Sequence, residues 1–181
     1  CFNKIDLSSE EEMEKLRAIY GPAGYEIHFI STYEEAGLKE IHEQIRHKTT
    51  VLAGPSGVGK SSLTNFIQPD ACMETGVVSE KIKRGKHTTR HCELFFVEEN
   101  TYMMDTPGFS SMYIEDIKPE ELKEYFPEFA AEEDGCRFLG CVHIGERDCG
   151  VKEAVKAGRI SRSRYDNYLL LYKELKDKRR Y

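Results

Sequence analysis

Gly54-Pro55-Ser56-Gly57-Val58-Gly59-Lys60-Ser61 runs as a glycine, four residues, then Gly-Lys-Ser, the spacing of a loop that wraps a phosphate. Thr50 to Ala53 before it predicts a short buried strand, and Ser61 to Ile67 after it predicts a helix with one apolar face. Strand, loop and helix are the context the motif needs. Glycines let backbone N–H groups point inward round an anion, and the helix adds the positive end of its dipole. Gly54, Ser56, Gly57, Val58, Gly59, Lys60, Ser61 and Ser62 are the predicted phosphate cradle, with Lys60 reaching the terminal phosphates and the Ser61 hydroxyl holding Mg²⁺. A glycine-rich turn that binds nothing would leave Lys60 and Ser61 unexplained at their fixed offsets. The fold class that follows is α/β, with a parallel sheet.

Working outward, Asn3-Lys4-Ile5-Asp6 has the Asn-Lys-x-Asp form with which GTPases read guanine. A carboxylate at Asp6 can accept from both the ring N1–H and the exocyclic amine, a donor pair adenine lacks. Asn3 is expected to brace the loop and the Lys4 stem to pack over the base. The motif begins almost at residue 1, where a carrying strand has no room, so the sequence reads as a fragment with a further segment upstream. Ser31-Thr32, after the alternating stretch Tyr25 to Ile30, resembles a second guanine-contacting loop, although a helix cap has the same residues. Asp105-Thr106-Pro107-Gly108 closes the second of two strands, Cys92–Val97 and Thr101–Met104. There Asp105 would hold Mg²⁺ through water and the Gly108 N–H would meet the γ-phosphate.

Pro69 to Thr89 has little regular pattern, and a connection of that length inside a domain tends to be functional. It stands where GTPases place switch I, so Thr88 and Thr89 are the candidates for the magnesium shell, Thr89 favoured because it borders the next strand. Phe109 follows Gly108 where many GTPases carry a water-orienting glutamine, and a phenyl ring cannot do that work. His87 is the candidate water-orienting group or general base. The guanine motif precedes the phosphate loop, so the domain is circularly permuted, which near-adjacent termini permit. The chain leaving Gly108 then runs directly into a C-terminal appendage.

A net charge of -6 does not announce a nucleic-acid binder, but charge is segregated. Glu98 to Asp134 holds twelve acids against two lysines, and Lys152 to Tyr181 holds ten Lys or Arg against four acids. Arg159, Arg162, Arg164, Lys176, Lys178, Arg179 and Arg180 are expected on the outside of a helix over Ser161–Lys178, where RNA could meet them; its Leu/Tyr stripe is expected to be core. Cys136-x₄-Cys141-x-His143-x₅-Cys149 supplies three thiolates and an imidazole, a closed tetrahedral shell for structural Zn²⁺. No apolar run approaches the roughly 20 residues that span a bilayer, and no signal peptide is visible, so the expectation is a cytoplasmic protein without a membrane partner. The division expected is a permuted GTPase domain over 1–115 and a small helical zinc-binding domain over 116–181.

The permuted order, Gly85-Lys86-His87-Thr88-Thr89-Arg90, Asp105-Thr106-Pro107-Gly108-Phe109 and the Cys/Cys/His/Cys cluster together resemble the RsgA family, GTPases dependent on the small ribosomal subunit. The resemblance spans essentially the whole chain. It implies a cytoplasmic GTPase, expected to be monomeric, acting on the 30S subunit and its 16S rRNA late in maturation, with GTP/GDP, Mg²⁺ and Zn²⁺ as cofactors. It also implies an N-terminal OB-fold domain that this sequence does not contain. His87 matches the family's switch histidine, proposed there to assist hydrolysis. Two other classes compete: a nucleotide-gated RNA-binding module in which hydrolysis is incidental, and a P-loop kinase or ATPase with structural zinc, which the Asp6 chemistry disfavours.

Overall fold

The computed structural model describes residues 1–71, 93–106 and 117–178. It divides into two compact units, Cys1–Ser8 with His28–Met112, and Ser9–Ile27 with Tyr113–Tyr181. Relative to a cut at residue 115, Ser9–Ile27 goes with the C-terminal unit. Helix α1 (Glu10–Tyr20) starts in a complete capping box between Ser9 and Glu12, yet buries no residue of its own. Its last residue, Tyr20, takes the Arg164 guanidinium over its ring at 5.8 Å, and Ala23 in the following 3₁₀ turn is buried.

The first unit carries helix α2 (Leu38–Ile45), strand β1 (Thr49–Leu52), helix α3 (Lys60–Ile67) and the hairpin β2 (Glu93–Glu98) to β3 (Thr101–Asp105). Among the described residues the sheet order is β1-β3-β2. β1 lies parallel to β3 with Leu52 opposite Asp105, while β2 is antiparallel to β3. Asn100, at φ 53, makes the hairpin turn. Side chains alternate as the pleat requires: Met103 is fully buried with Ile30, Leu38, Ile41, Leu63 and Ile67, and Tyr102 turns outward. The strand expected over Tyr25–Ile30 is reduced to one parallel bridge, Phe2 with Phe29. Its ladder is the Phe2 N–H to His28 O bond of 2.7 Å and the Ile30 N–H to Phe2 O bond of 2.8 Å. A strand needs neighbours along its length, and here Phe2 alone bridges it among the described residues, with Ile5 N–H adding one bond to Ile30 O at 3.2 Å.

In the second unit, 3₁₀ turns at Pro119–Tyr125 and Glu133–Gly135 flank helix α4 (Pro127–Ala130), followed by α5 (Gly150–Lys156) and α6 (Arg162–Lys178). Leu122, Phe126, Phe129, Val151, Tyr165 and Tyr168 form its core, so the Leu/Tyr stripe of α6 does face inward. Arg164 departs from the expected exterior basic face. Its side chain is only 16% exposed and pairs with Glu128, 3% exposed, and it lies over the Phe126 ring at 5.0 Å. Arg159 is held by Glu132, Arg162 by Asp166 and Lys178 by Glu174, so much of the described basic charge is matched locally. No described helix is long and apolar enough to cross a membrane.

Candidate nucleotide site and metal centre

The phosphate loop stands between β1 and α3, and two of its glycines adopt conformations other residues avoid, Gly57 at φ 78 and Gly59 at φ 99. Gly59 caps α3 without a side-chain bond, so N–H groups of the first turn, around Ser61 and Ser62, keep their capacity for an anion. Lys60 Nζ donates to Gly54 O at 2.8 Å and Pro55 O at 3.0 Å, folded over its own loop. A phosphate oxygen offered to the same loop competes for those protons with a full charge. Beside it lies a cavity of about 360 Å³ lined by Phe2, Asn3, Lys4, Ala53 and Ser56 to Lys60.

The Asn-Lys-x-Asp loop is bonded to the glycine-rich loop directly. Asn3 Nδ2 donates to Val58 O at 2.9 Å and lies 3.3 Å from Thr32 Oγ1. Asn3 Oδ1 accepts from Lys4 N–H at 2.8 Å and Thr32 N–H at 3.1 Å. Lys4 sits at φ 71 and sends Nζ to Gly57 O at 2.8 Å. The left-handed backbone at Lys4, uncommon for a side chain of that size, is what turns the ammonium towards the phosphate loop. Buried Ser31 donates to Asp6 Oδ1 at 2.5 Å and accepts from Glu34 N–H at 3.0 Å. One hydroxyl donor uses one of about four carboxylate lone pairs, and the rest remain to accept a guanine edge. Asn3, Lys4, Asp6, Ser31, Thr32 and the loop from Gly54 to Ser62 are therefore one assembly.

Asp105 ends β3 opposite Leu52, two residues before Gly54, and Thr106 binds back to Leu52 O through both its hydroxyl, at 2.6 Å, and its N–H, at 3.3 Å. Its backbone thus ends beside the end of β1 from which the glycine-rich loop leads into α3. His87, Thr88, Thr89 and Gly108 lie outside the described residues.

Cys136, Cys141, His143 and Cys149 converge, their ligand atoms all within 4.8 Å of one another. Cys136 Sγ is 3.6 Å from His143 Nδ1 and 3.9 Å from Cys149 Sγ, and His143 Nδ1 is 3.4 Å from Cys149 Sγ. A tetrahedron with Zn–S near 2.3 Å and Zn–N near 2.0 Å has edges of about 3.8 and 3.5 Å, so the residues fit zinc. Burial pushes the Cys141 thiol up to about 12 and raises Cys149 as well. Thiolates in that environment need a cation, which a bound metal provides.

The spacing of the ligands gave no hint of the shell around them. His143 is fully buried, and its Nε2 faces Glu133 Oε1 at 3.1 Å; with Nδ1 towards the thiols, Nε2 carries the hydrogen and donates. Burial lowers His143, favouring the neutral ring a metal needs. Burial alone would raise Glu133, but bonds from Lys123 and His143 outweigh it and hold it low. Tyr165 donates to His143 O at 2.6 Å and Tyr168 to Val142 O at 2.7 Å, while Glu146 accepts from Val142 N–H and Ile144 N–H. The i, i+3 tyrosine pair in α6 was the one legible sign of this shell, and it reads from sequence as core.

The family profile described as RsgA GTPase matches residues 1–115. The chain is 54% identical, over all 181 of its residues, to a relative from Agathobacter rectalis named small ribosomal subunit biogenesis GTPase RsgA, and covers 60% of it. A relative of the same name from Alkaliphilus metalliredigens is 49% identical, again over the whole chain, with 62% of it covered. Among solved structures, YjeQ from Thermotoga maritima is 40% identical with a TM-score of 0.76, covering 96% of this chain and 58% of its own. YloQ, described as a circularly permuted GTPase, is 36% identical with a TM-score of 0.75, covering 97% of this chain and 56% of its own. The chain thus spans about three fifths of the curated relatives it matches.

Proposed function

This chain belongs to the RsgA GTPase family, and from that membership we propose that it binds GTP, hydrolyses it to GDP and phosphate, and serves maturation of the small ribosomal subunit in the cytoplasm. The observation that carries the nucleotide part is the direct bond between the guanine-reading Asn3 and Val58 of the phosphate loop. The printed names of the relatives support the ribosomal part. Contact with 16S rRNA, stimulation of turnover by the 30S subunit and action as a monomer complete the reading. The catalytic portion is 1–115, with 116–181 the zinc-bearing portion.

Hydrolysis proceeds by in-line attack of water on the γ-phosphate, with catalysis mainly by positioning and charge neutralisation. Lys60 and the N–H groups of the loop and first turn of α3 take the developing phosphate charge. Ser61, Thr89 and Asp105, the last through water, would hold Mg²⁺, which supplies Lewis-acid charge stabilisation. Gly108 would meet the γ-phosphate through its N–H, and His87 would orient the attacking water, Phe109 being unable to. Cys136, Cys141, His143 and Cys149 would hold structural Zn²⁺.

The test is turnover of GTP and of ATP, with and without purified small subunits, on this chain and on a longer version carrying the additional length its relatives have. Hydrolysis confined to GTP and raised by the subunit is the expected result. Turnover that ignores the subunit in both versions rejects the ribosomal part, and ATP turnover equal to GTP turnover rejects the guanine assignment.

A further inference from the structure

We propose that Tyr33 stacks on the purine ring of the bound guanine nucleotide, on the face away from Lys4, and so contributes base affinity that the Asn-Lys-x-Asp motif alone does not supply. The proposal rests on the guanine-nucleotide reading above and deepens it.

Tyr33 stands in a six-residue loop closed by reciprocal backbone bonds, Ser31 N–H to Ala36 O at 3.0 Å and Ala36 N–H to Ser31 O at 3.1 Å. Within the loop, Glu34 N–H donates to Ser31 Oγ at 3.0 Å and Glu35 turns the chain at φ 57. The loop is thus bonded across its neck, and Tyr33 projects from it 86% exposed. The residues at its root are those that set the guanine readers. Ser31 holds Asp6, and Thr32 is bonded to Asn3 through both its N–H and its hydroxyl. Tyr33 is the next residue along.

A purine read edge-on by a carboxylate has two faces to cover. Lys4 commits its aliphatic stem to one side, because its ammonium is tied to Gly57 O. The loop that supports Asp6 from Ser31 is left to cover the other. An aromatic ring is the side chain suited to that face, since stacking uses the π-surface of the base and demands no hydrogen-bond geometry. Of the other exposed aromatics described in the same unit, Phe66 stands on α3, and Phe96 and Tyr102 stand on the sheet and pack on each other with ring centroids 5.8 Å apart. Tyr33 is the exposed aromatic placed on a base-reading loop.

The chain contains no tryptophan, so Tyr33→Trp makes a unique indole reporter. Titrating that variant with GDP should quench the indole, because a guanine stacked on it opens a non-radiative path for the excited state. Inorganic pyrophosphate, which fills the phosphate loop without a base, should leave emission unchanged. By calorimetry, Tyr33→Ala should weaken GDP about five- to hundredfold. Tyr33→Phe should hold it within about twofold of wild type, since the ring is kept, and pyrophosphate affinity should be the same in wild type and both variants. Tyr33→Ala with wild-type GDP affinity, or an indole emission of the Tyr33→Trp variant that is indifferent to saturating GDP, overturns the stacking role. A wild-type chain that binds pyrophosphate but not GDP overturns the guanine reading itself, and the proposal with it.

Discussion

Asn3 Nδ2 donates to the carbonyl of Val58 at 2.9 Å, so a single side-chain amide joins the Asn-Lys-x-Asp loop, proposed to read the base, to the glycine-rich loop proposed to hold the phosphates. Fifty-five residues separate the two in sequence, and the bond makes the distance between base and phosphate subsites a property of the protein before any nucleotide arrives. Preorganisation of this kind reduces the ordering cost of binding.

Asn3→Ala removes the Val58 bond and the Thr32 bonds together. At about 1 kcal/mol for each of the three lost inter-loop bonds, GDP affinity should fall roughly 150-fold, and pyrophosphate affinity should fall with it because the phosphate loop loses its brace. Calorimetry on both ligands checks this. A loss confined to GDP would show that Asn3 acts on the base alone.

Gly59 is required by the same contact. A Cβ there would meet Asn3 Nδ2 at 2.2 Å, and the backbone stands at φ 99. Gly59→Ala should cost about 1–3 kcal/mol from the backbone alone, and more from the clash. In the Asn3→Ala background the clash term disappears, so the two substitutions should be non-additive in thermal unfolding. Additive losses would mean that Gly59 answers only to its own backbone.

The loops proposed to hold the nucleotide could be picked out in the sequence because their chemistry is local: phosphate cradles and Asn-Lys-x-Asp loops are short runs whose offsets are fixed by backbone geometry. The strand over Thr101–Asp105 was legible for the same reason, Thr101 and Met103 alternating into a buried face, whereas the buried strand expected over Thr50–Ala53 runs over Thr49–Leu52 and leaves Val51 54% exposed. Long-range partners were not. Glu133 lies ten residues from the imidazole it supports, and the Arg164 to Glu128 pair spans thirty-six, so nothing in spacing announces them. Charge counting failed at Arg164 because a run of basic residues records composition, whereas exposure depends on which carboxylates the fold brings alongside. Ser9–Ile27 was placed with the GTPase domain over 1–115, whereas it groups with the second unit, because α1 has ordinary amphipathic spacing but takes its anchorage from Tyr20 and Ala23.

Stripping zinc should unfold much of the second unit, since Cys141, His143 and Cys149 belong to its buried interior and Tyr165 and Tyr168 are bonded to the ligand loop. One zinc per chain by elemental analysis, and loss of the unit's cooperative melting after chelation, are the expected results. Glu133→Gln should keep the stoichiometry but weaken zinc about 10–100-fold in chelator competition, because the partner of His143 Nε2 loses its charge. Unchanged competition would place Glu133 outside the function of the metal shell.

Arg164→Ala tests whether the C-terminal helix uses this residue for packing or for an outside partner. Nη2 bonds Glu128 Oε2 at 2.9 Å and Nε bonds Oε1, so the guanidinium grips the carboxylate at both oxygens. Removing it leaves a carboxylate side chain 3% exposed without its counter-ion, at a cost of about 3–5 kcal/mol. Arg164→Lys keeps the charge but not the two-pronged geometry and should recover only part of that loss. Replacing both residues, with Arg164→Met and Glu128→Leu, should be milder than Arg164→Ala, since no buried charge is stranded. If Arg164→Ala instead leaves the melting of the unit unchanged, the ion pair is dispensable for its fold. The expected order of stability, wild type and the double replacement above Arg164→Lys and Arg164→Ala lowest, assigns the arginine to holding α6 against α4.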